Sequence, residues 1–157
     1  MRKTIALALA LAAGAALAGE KPAPLKEAEV KAVIQAMDAA LQKKDVEGAL
    51  GHVAESAQIR VAVTSAEGPQ ILPLGRNEYG DMLKTTLSDV QNYRLERKAP
   101  LVTLLKDGKA LYTDLVTETI ETKNKKTRNL NQERAVLERL DGKAKIIMLE
   151  SSVIMTN

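Results

Sequence analysis

The chain has 157 residues, with 23 basic against 20 acidic side chains and no cysteine, tryptophan or phenylalanine. That length suits one domain around a single core, and the missing thiols exclude a disulfide framework or a thiolate zinc site. Tyr79, Tyr93 and Tyr112 are the whole aromatic complement, too few for the stacking platforms of a nucleic-acid binder. The core must therefore come from Leu, Ile, Val, Met and Ala, and no nucleic-acid partner is expected.

Arg2-Lys3, an apolar run over residues 5–13 and Ala16-Leu17-Ala18 before Gly19 read as a secretory signal peptide over residues 1–18. Gly14, Gly19 and Glu20 cut the run short of the ~20 apolar residues that span a bilayer, so no stable membrane insertion is expected after processing. The expected location is periplasmic or secreted. Removing residues 1–18 takes Arg2 and Lys3 and no acid, lowering the formal charge from +3 to +1. Lys123, Lys125, Lys126 and Arg128 cluster where two strands should meet, the ordinary composition of a solvated tip.

Residues 19–24 contain two prolines and read as a linker, which leaves residues 25–157 for the domain. Val30, Val33, Ile34, Met37 and Leu41 recur at helical spacing and predict a one-faced helix over residues 26–44. Asp45 caps a shorter helix running through Val53, with Ala49 and Val53 inward. The pattern then alternates over residues 58–64, turns at Glu67-Gly68-Pro69 and returns over residues 70–74, a first hairpin. Tyr79, Met82, Leu83 and Leu87 place a third helix over residues 76–88. Everything beyond is strand: residues 91–105 with a break at Pro100 that suggests an edge or a bulge, 110–122, 127–140 and 143–155. The two histidine-free turns Lys106-Asp107-Gly108 and Asp141-Gly142 are ordinary turn chemistry.

Ile146, Ile147, Met148 and Leu149 give the last strand apolar side chains on both faces, so it needs two covers. One is the first helix. The other is expected to be a second copy of the chain, seated on Ala135, Leu137, Ile147, Leu149 and Val153. A two-residue loop at Asp141-Gly142 sets Leu137 opposite Ile146 and Glu133 opposite Glu150. A three-residue loop sets Val136 opposite Ile146 and Arg134 opposite Met148, and is preferred because it separates like charges and brings Arg134 near Glu150.

This order of elements, with Lys44-Asp45-Val46-Glu47-Gly48-Ala49-Leu50, Val53-Ala54-Glu55-Ser56-Ala57 and Asp141-Gly142-Lys143-Ala144-Lys145-Ile146-Ile147, resembles the nuclear transport factor 2-like superfamily over about residues 25–155. That superfamily includes SnoaL-like cyclases, ketosteroid isomerases and scytalone dehydratases. The resemblance implies an α+β cone: a curved antiparallel sheet wrapped around the long N-terminal helix, with a pocket at the open end and often a homodimer. In SnoaL-like chains the segment after the final turn carries an aromatic residue and a histidine; the matching positions are Ala144 and Glu150. The catalytic aspartate of ketosteroid isomerases falls near Val61, which cannot take a proton.

His52, the single histidine, reads as a packing residue, since a lone imidazole makes neither a triad nor a metal site. No metal and no cofactor is expected. The residues that stand out are polar ones in strand positions. Tyr112, Asp114 and Glu118 share a face that the resemblance makes concave, and Ala144, Ile146, Met148, Glu150 and Ser152 share another. A one-residue slip would instead turn Asp114 and Glu118 to water.

The leading expectation is an exported domain that binds a small molecule or a partner in its cone. Asp114, Glu118, Arg134 and Glu150 would orient the ligand against Met37, Tyr112 and Met148. The alternatives are a lyase, cyclase or isomerase using Asp114 or Glu150 as general base with Tyr112 as donor, and a structural dimerisation module.

Overall fold

The computed structural model describes residues 22–65 and 68–156; the expected signal peptide lies outside them. Helix α1 (Glu27–Gln42) turns Val30, Ile34, Met37 and Leu41 inward. Burying a side chain of this size stabilises the fold by ~1.5–3 kcal/mol. Glu29 closes the first turn by accepting from the Lys26 amide at 2.9 Å. Asp45 caps α2 (Val46–Leu50) through the Gly48 amide at 2.9 Å. This helix is shorter than expected, because Val53 already begins β1 (Val53–Ser65). After β2 (Gly68–Leu74) comes α3 (Arg76–Leu87), which packs so closely on α2 that a Cβ added to Gly80 would stand 2.7 Å from Leu50 Cδ1.

Pro100 divides the next stretch into β3 (Asn92–Arg97) and β4 (Leu101–Leu104), both paired to β5 (Ala110–Glu121) alone. A proline that cannot donate to a ladder is accommodated there because both strands are at an edge. With β6 (Lys126–Leu140) and β7 (Lys143–Thr156), seven strands form one curved, unclosed sheet in the order β2-β1-β7-β6-β5-β3, with β4 following β3 along the same edge of β5. All pairings are antiparallel except β1 with β7, which is parallel. The helices cover the concave face.

Two devices set the register of β6 against β7. Asp141 and Gly142 both have positive φ, 48° and 76°, the signature of a type I′ two-residue turn. Leu137 accordingly faces Ile146, but a bulge at Ile147 then shifts the ladder, so that Val136 faces Met148, Ala135 faces Leu149 and Arg134 faces Glu150. The expected three-residue loop is not formed. The like-charge clash that argued for it is avoided by the bulge, which places Glu133 opposite Ser151.

The bulge also resets the faces. Ile146 and Leu149 both point into the core with Ala135 and Leu137, none of them more than 6% exposed. Three residues expected on the outer apolar strip, Ala135, Leu137 and Leu149, are therefore core residues. The convex face carries instead an apolar row, Leu111–Val136–Met148, and beside it a polar row, Thr113–Arg134–Glu150–Arg60. Leu115, Leu130 and Met155 lie further along the same face.

Candidate functional site

Inside the cone, the sheet and α1 enclose a polar cluster centred on Arg97, at the end of β3. Its guanidinium takes both carboxylate oxygens of Asp38 on α1, Nε to Oδ2 at 2.6 Å and Nη2 to Oδ1 at 2.8 Å. Nη1 donates to Glu133 Oε2 at 2.8 Å and lies 3.7 Å from Asp114 Oδ2. The cation also stands over the Tyr112 ring, 5.5 Å from its centroid, a favourable cation–π placement. Burial opposes the charge on Arg97. The Asp38 hydrogen bonds and the charges of Glu133 and Asp38 more than offset it, and its pKa is raised.

Each carboxylate has a distinct role. Asp114 is saturated: Oδ1 accepts from the amides of Ala99 at 2.8 Å and Leu115 at 2.7 Å, and Oδ2 accepts from the Tyr112 hydroxyl at 2.7 Å. These bonds pin the β3–β4 crossover to β5. Glu118 is saturated as well, by Tyr93 Oη at 2.6 Å and by the side-chain amides of Asn129 at 3.0 Å and Asn131 at 3.5 Å. Glu133 is different. Among the described residues no donor reaches its Oε1, and burial outweighs the Arg97 contact to raise its pKa.

The space around this cluster is divided in two. Behind Arg97 is an internal cavity of about 50 Å³, lined by Met37, Tyr79, Tyr93, Glu133 and Leu149 among others, where the buried Tyr79 phenol is also held protonated, by burial first and then by the Glu133 charge. In front is an open cleft of about 450 Å³ bounded by Lys31, Ile34, Gln35, Asp38, Leu95, Arg97, Pro100 and Tyr112. The Arg97–Asp38 pair belongs to the walls of both and stands between them.

Of the expected pocket residues, Met37, Tyr112, Asp114 and Glu118 come together in the interior. Arg134, Met148 and Glu150 do not: the two-residue turn sets Leu137 inward and so Arg134 outward, and the bulge at Ile147 turns Met148 and Glu150 to the same convex face. There Arg134 and Arg60 flank Glu150 at 3.9 and 3.7 Å, with the Arg134 side chain 53% exposed. Asp38, Arg97, Glu133 and Tyr79 were not singled out from the sequence. A signal existed for Asp38, which borders the inward stripe between Met37 and Leu41. None existed for Arg97, whose partners come from three other elements.

A curved sheet of this strand order, closed by three helices over a polar-lined interior, is the nuclear transport factor 2-like fold, and the protein adopts it. Among solved structures it is similar to a candidate scytalone dehydratase from Novosphingobium aromaticivorans, with 13% identity, 83% of this chain and 85% of that chain covered and a TM-score of 0.71. A hexachlorocyclohexane dehydrochlorinase type 2 matches with 12% identity, 83% and 86% coverage and a TM-score of 0.68. A candidate dehydratase of the same fold from Streptomyces avermitilis matches with 14% identity, 82% and 95% coverage and a TM-score of 0.67. No family model and no curated protein matches the sequence.

Proposed function

We propose that this is an exported, non-catalytic binding domain whose small-molecule ligand sits at the mouth of the cone, against the Arg97–Asp38 pair. The observation that carries this reading is the division of space: the internal cavity of about 50 Å³ has room for one or two waters, whereas the outer cleft of about 450 Å³ is within the usual range for ligand sites. Ile34, Leu95 and Pro100 suit an apolar body, and Arg97, Asp38 and Gln35 suit a polar end. Export rests on residues 1–18, and intact-mass measurement on protein from its native host, showing a chain that starts at or near Gly19, tests it. We further propose a homodimer through the convex sheet face, supported by Leu115, Leu130, Val136, Met148 and Met155.

Amide-resolved NMR titration with a fragment set tests the ligand site. The expected result is saturable shifts confined to Ile34, Gln35, Leu95 and Tyr112, without chemical change in the fragment. The second reading is an enzyme, favoured by the raised pKa of Glu133 across the cavity from Tyr79 and by neighbours named for elimination reactions. Turnover of any bound fragment that is lost in Glu133→Gln would replace the binding reading with that one.

A further inference from the structure

A cleft larger than the one at the mouth lies elsewhere, at the corner where α2 gives way to β1. It measures about 650 Å³ and is lined by Gly51, Val53, Ala54, Glu55, Ser56, Arg76, Leu140, Asp141, Lys143 and Lys145. Its origin is a defect in the sheet. Val53 pairs with Ile146 and Gln58 with Met148, so β1 advances five residues while β7 advances two. The pairing with β2 begins only at Ile59. Residues 54–57 therefore leave the ladder, and the gap they open is the cleft.

Three cations from two elements surround that gap. Arg76, the first residue of α3, donates through Nε and Nη2 to the Leu50 carbonyl at 3.2 and 3.1 Å. Lys145 donates to the next carbonyl, that of Gly51, and Lys143 precedes it on the same strand. A carbonyl is a neutral acceptor: it fixes the direction of a cation and leaves its charge and its remaining hydrogens unspent. No ion pair is present for Arg76, Lys143 or Lys145 among the described residues, although Glu55 and Asp141 share the wall. Elsewhere the cations that line the mouth cleft, Lys31 and Arg97, are both paired with carboxylates.

We infer that this cleft is a binding site for a small organic anion, such as a phosphate monoester, distinct from the mouth of the cone. Arg76 Nη1, Lys145 Nζ and Lys143 Nζ would hold the anionic group, with Ser56 Oγ as a further donor, in the charge-assisted geometry that phosphate recognition uses. Val53, Ala54 and Leu140 supply the apolar wall for the organic part. The volume is far larger than an inorganic ion needs, which is why the ligand is an organic anion.

The test is an amide-resolved NMR titration with phenyl phosphate, with benzyl alcohol as the uncharged counterpart and inorganic phosphate as the bare ion. Phenyl phosphate is expected to give saturable shifts at Gly51, Ser56, Lys143 and Lys145, to bind more tightly than either control, and to weaken with added salt. Lys143→Gln, an exposed residue with no partner to lose, should weaken it by roughly threefold to tenfold, the net effect of one hydrogen bond whose charge is screened by solvent. Lys123→Gln, at the distant charged tip, should leave the affinity unchanged. Absence of saturation, equal binding of benzyl alcohol or inorganic phosphate, or equal weakening by the two lysine variants would overturn the proposal.

Discussion

Replacing Arg97 with methionine removes the one cation of the interior cluster while keeping most of its apolar stem. The side chains of Arg97, Asp38 and Glu133 are 17%, 13% and 20% exposed, so this is a largely buried pair and not a surface one. Breaking a buried pair by deleting one partner costs ~3–5 kcal/mol, because the remaining charge has no compensation; the lost cation–π contact with Tyr112 adds about 0.5–1 kcal/mol. With a urea m-value of about 2 kcal/mol/M, the midpoint of unfolding should fall by roughly 1.5–3 M at pH 7. Asp38→Asn in the same background should cost less than it does alone, since the charge it removes is then already unpaired. The deficit should also shrink toward pH 4.5, because a carboxyl without its cation is better tolerated once protonated. The assay is urea unfolding of both single variants and the double at two pH values. A loss under ~1 kcal/mol with additive effects, as for exposed pairs, would refute the reasoning that Arg97 organises the interior.

Two further outcomes follow from the same geometry. Arg134→Ala and Glu150→Ala should each change stability by no more than ~1 kcal/mol and should combine nearly additively, because that pair is 3.9 Å apart and lies on the convex face; a cost of several kcal/mol in urea unfolding would show that the pair is buried after all. Glu133 has a folded-state pKa above its ordinary value of 4.5, so its contribution to stability is fully present below 4.5 and is lost as pH rises through the raised pKa. Glu133→Gln should therefore flatten the stability profile above pH 4.5, read by urea unfolding across pH, and carbon-detected NMR should find the Glu133 carboxyl titrating above its ordinary value of 4.5.

The local and the periodic were legible without coordinates. Helical spacing of Val30, Ile34, Met37 and Leu41 gave α1 its inward face, the dipeptide Asp141-Gly142 marked the last turn, and Pro100 marked the break between β3 and β4, because each of these depends on residues a few positions apart. Alternation on β5 likewise put Tyr112, Asp114 and Glu118 on a common face. What only the tertiary structure decided was register and encounter. The two-residue turn sets Leu137 opposite Ile146 and so Arg134 outward, one extra residue at Ile147 then turns Met148 and Glu150 outward as well, and a bulge leaves no periodic trace in a strand that is apolar on both faces. The cluster on Arg97 has the same character: Asp38, Glu133 and Asp114 lie on three elements, and it takes the pairing that sets Asp114 opposite Glu133, with β3 beside β5, and the curvature of the sheet around α1 to bring them to one guanidinium.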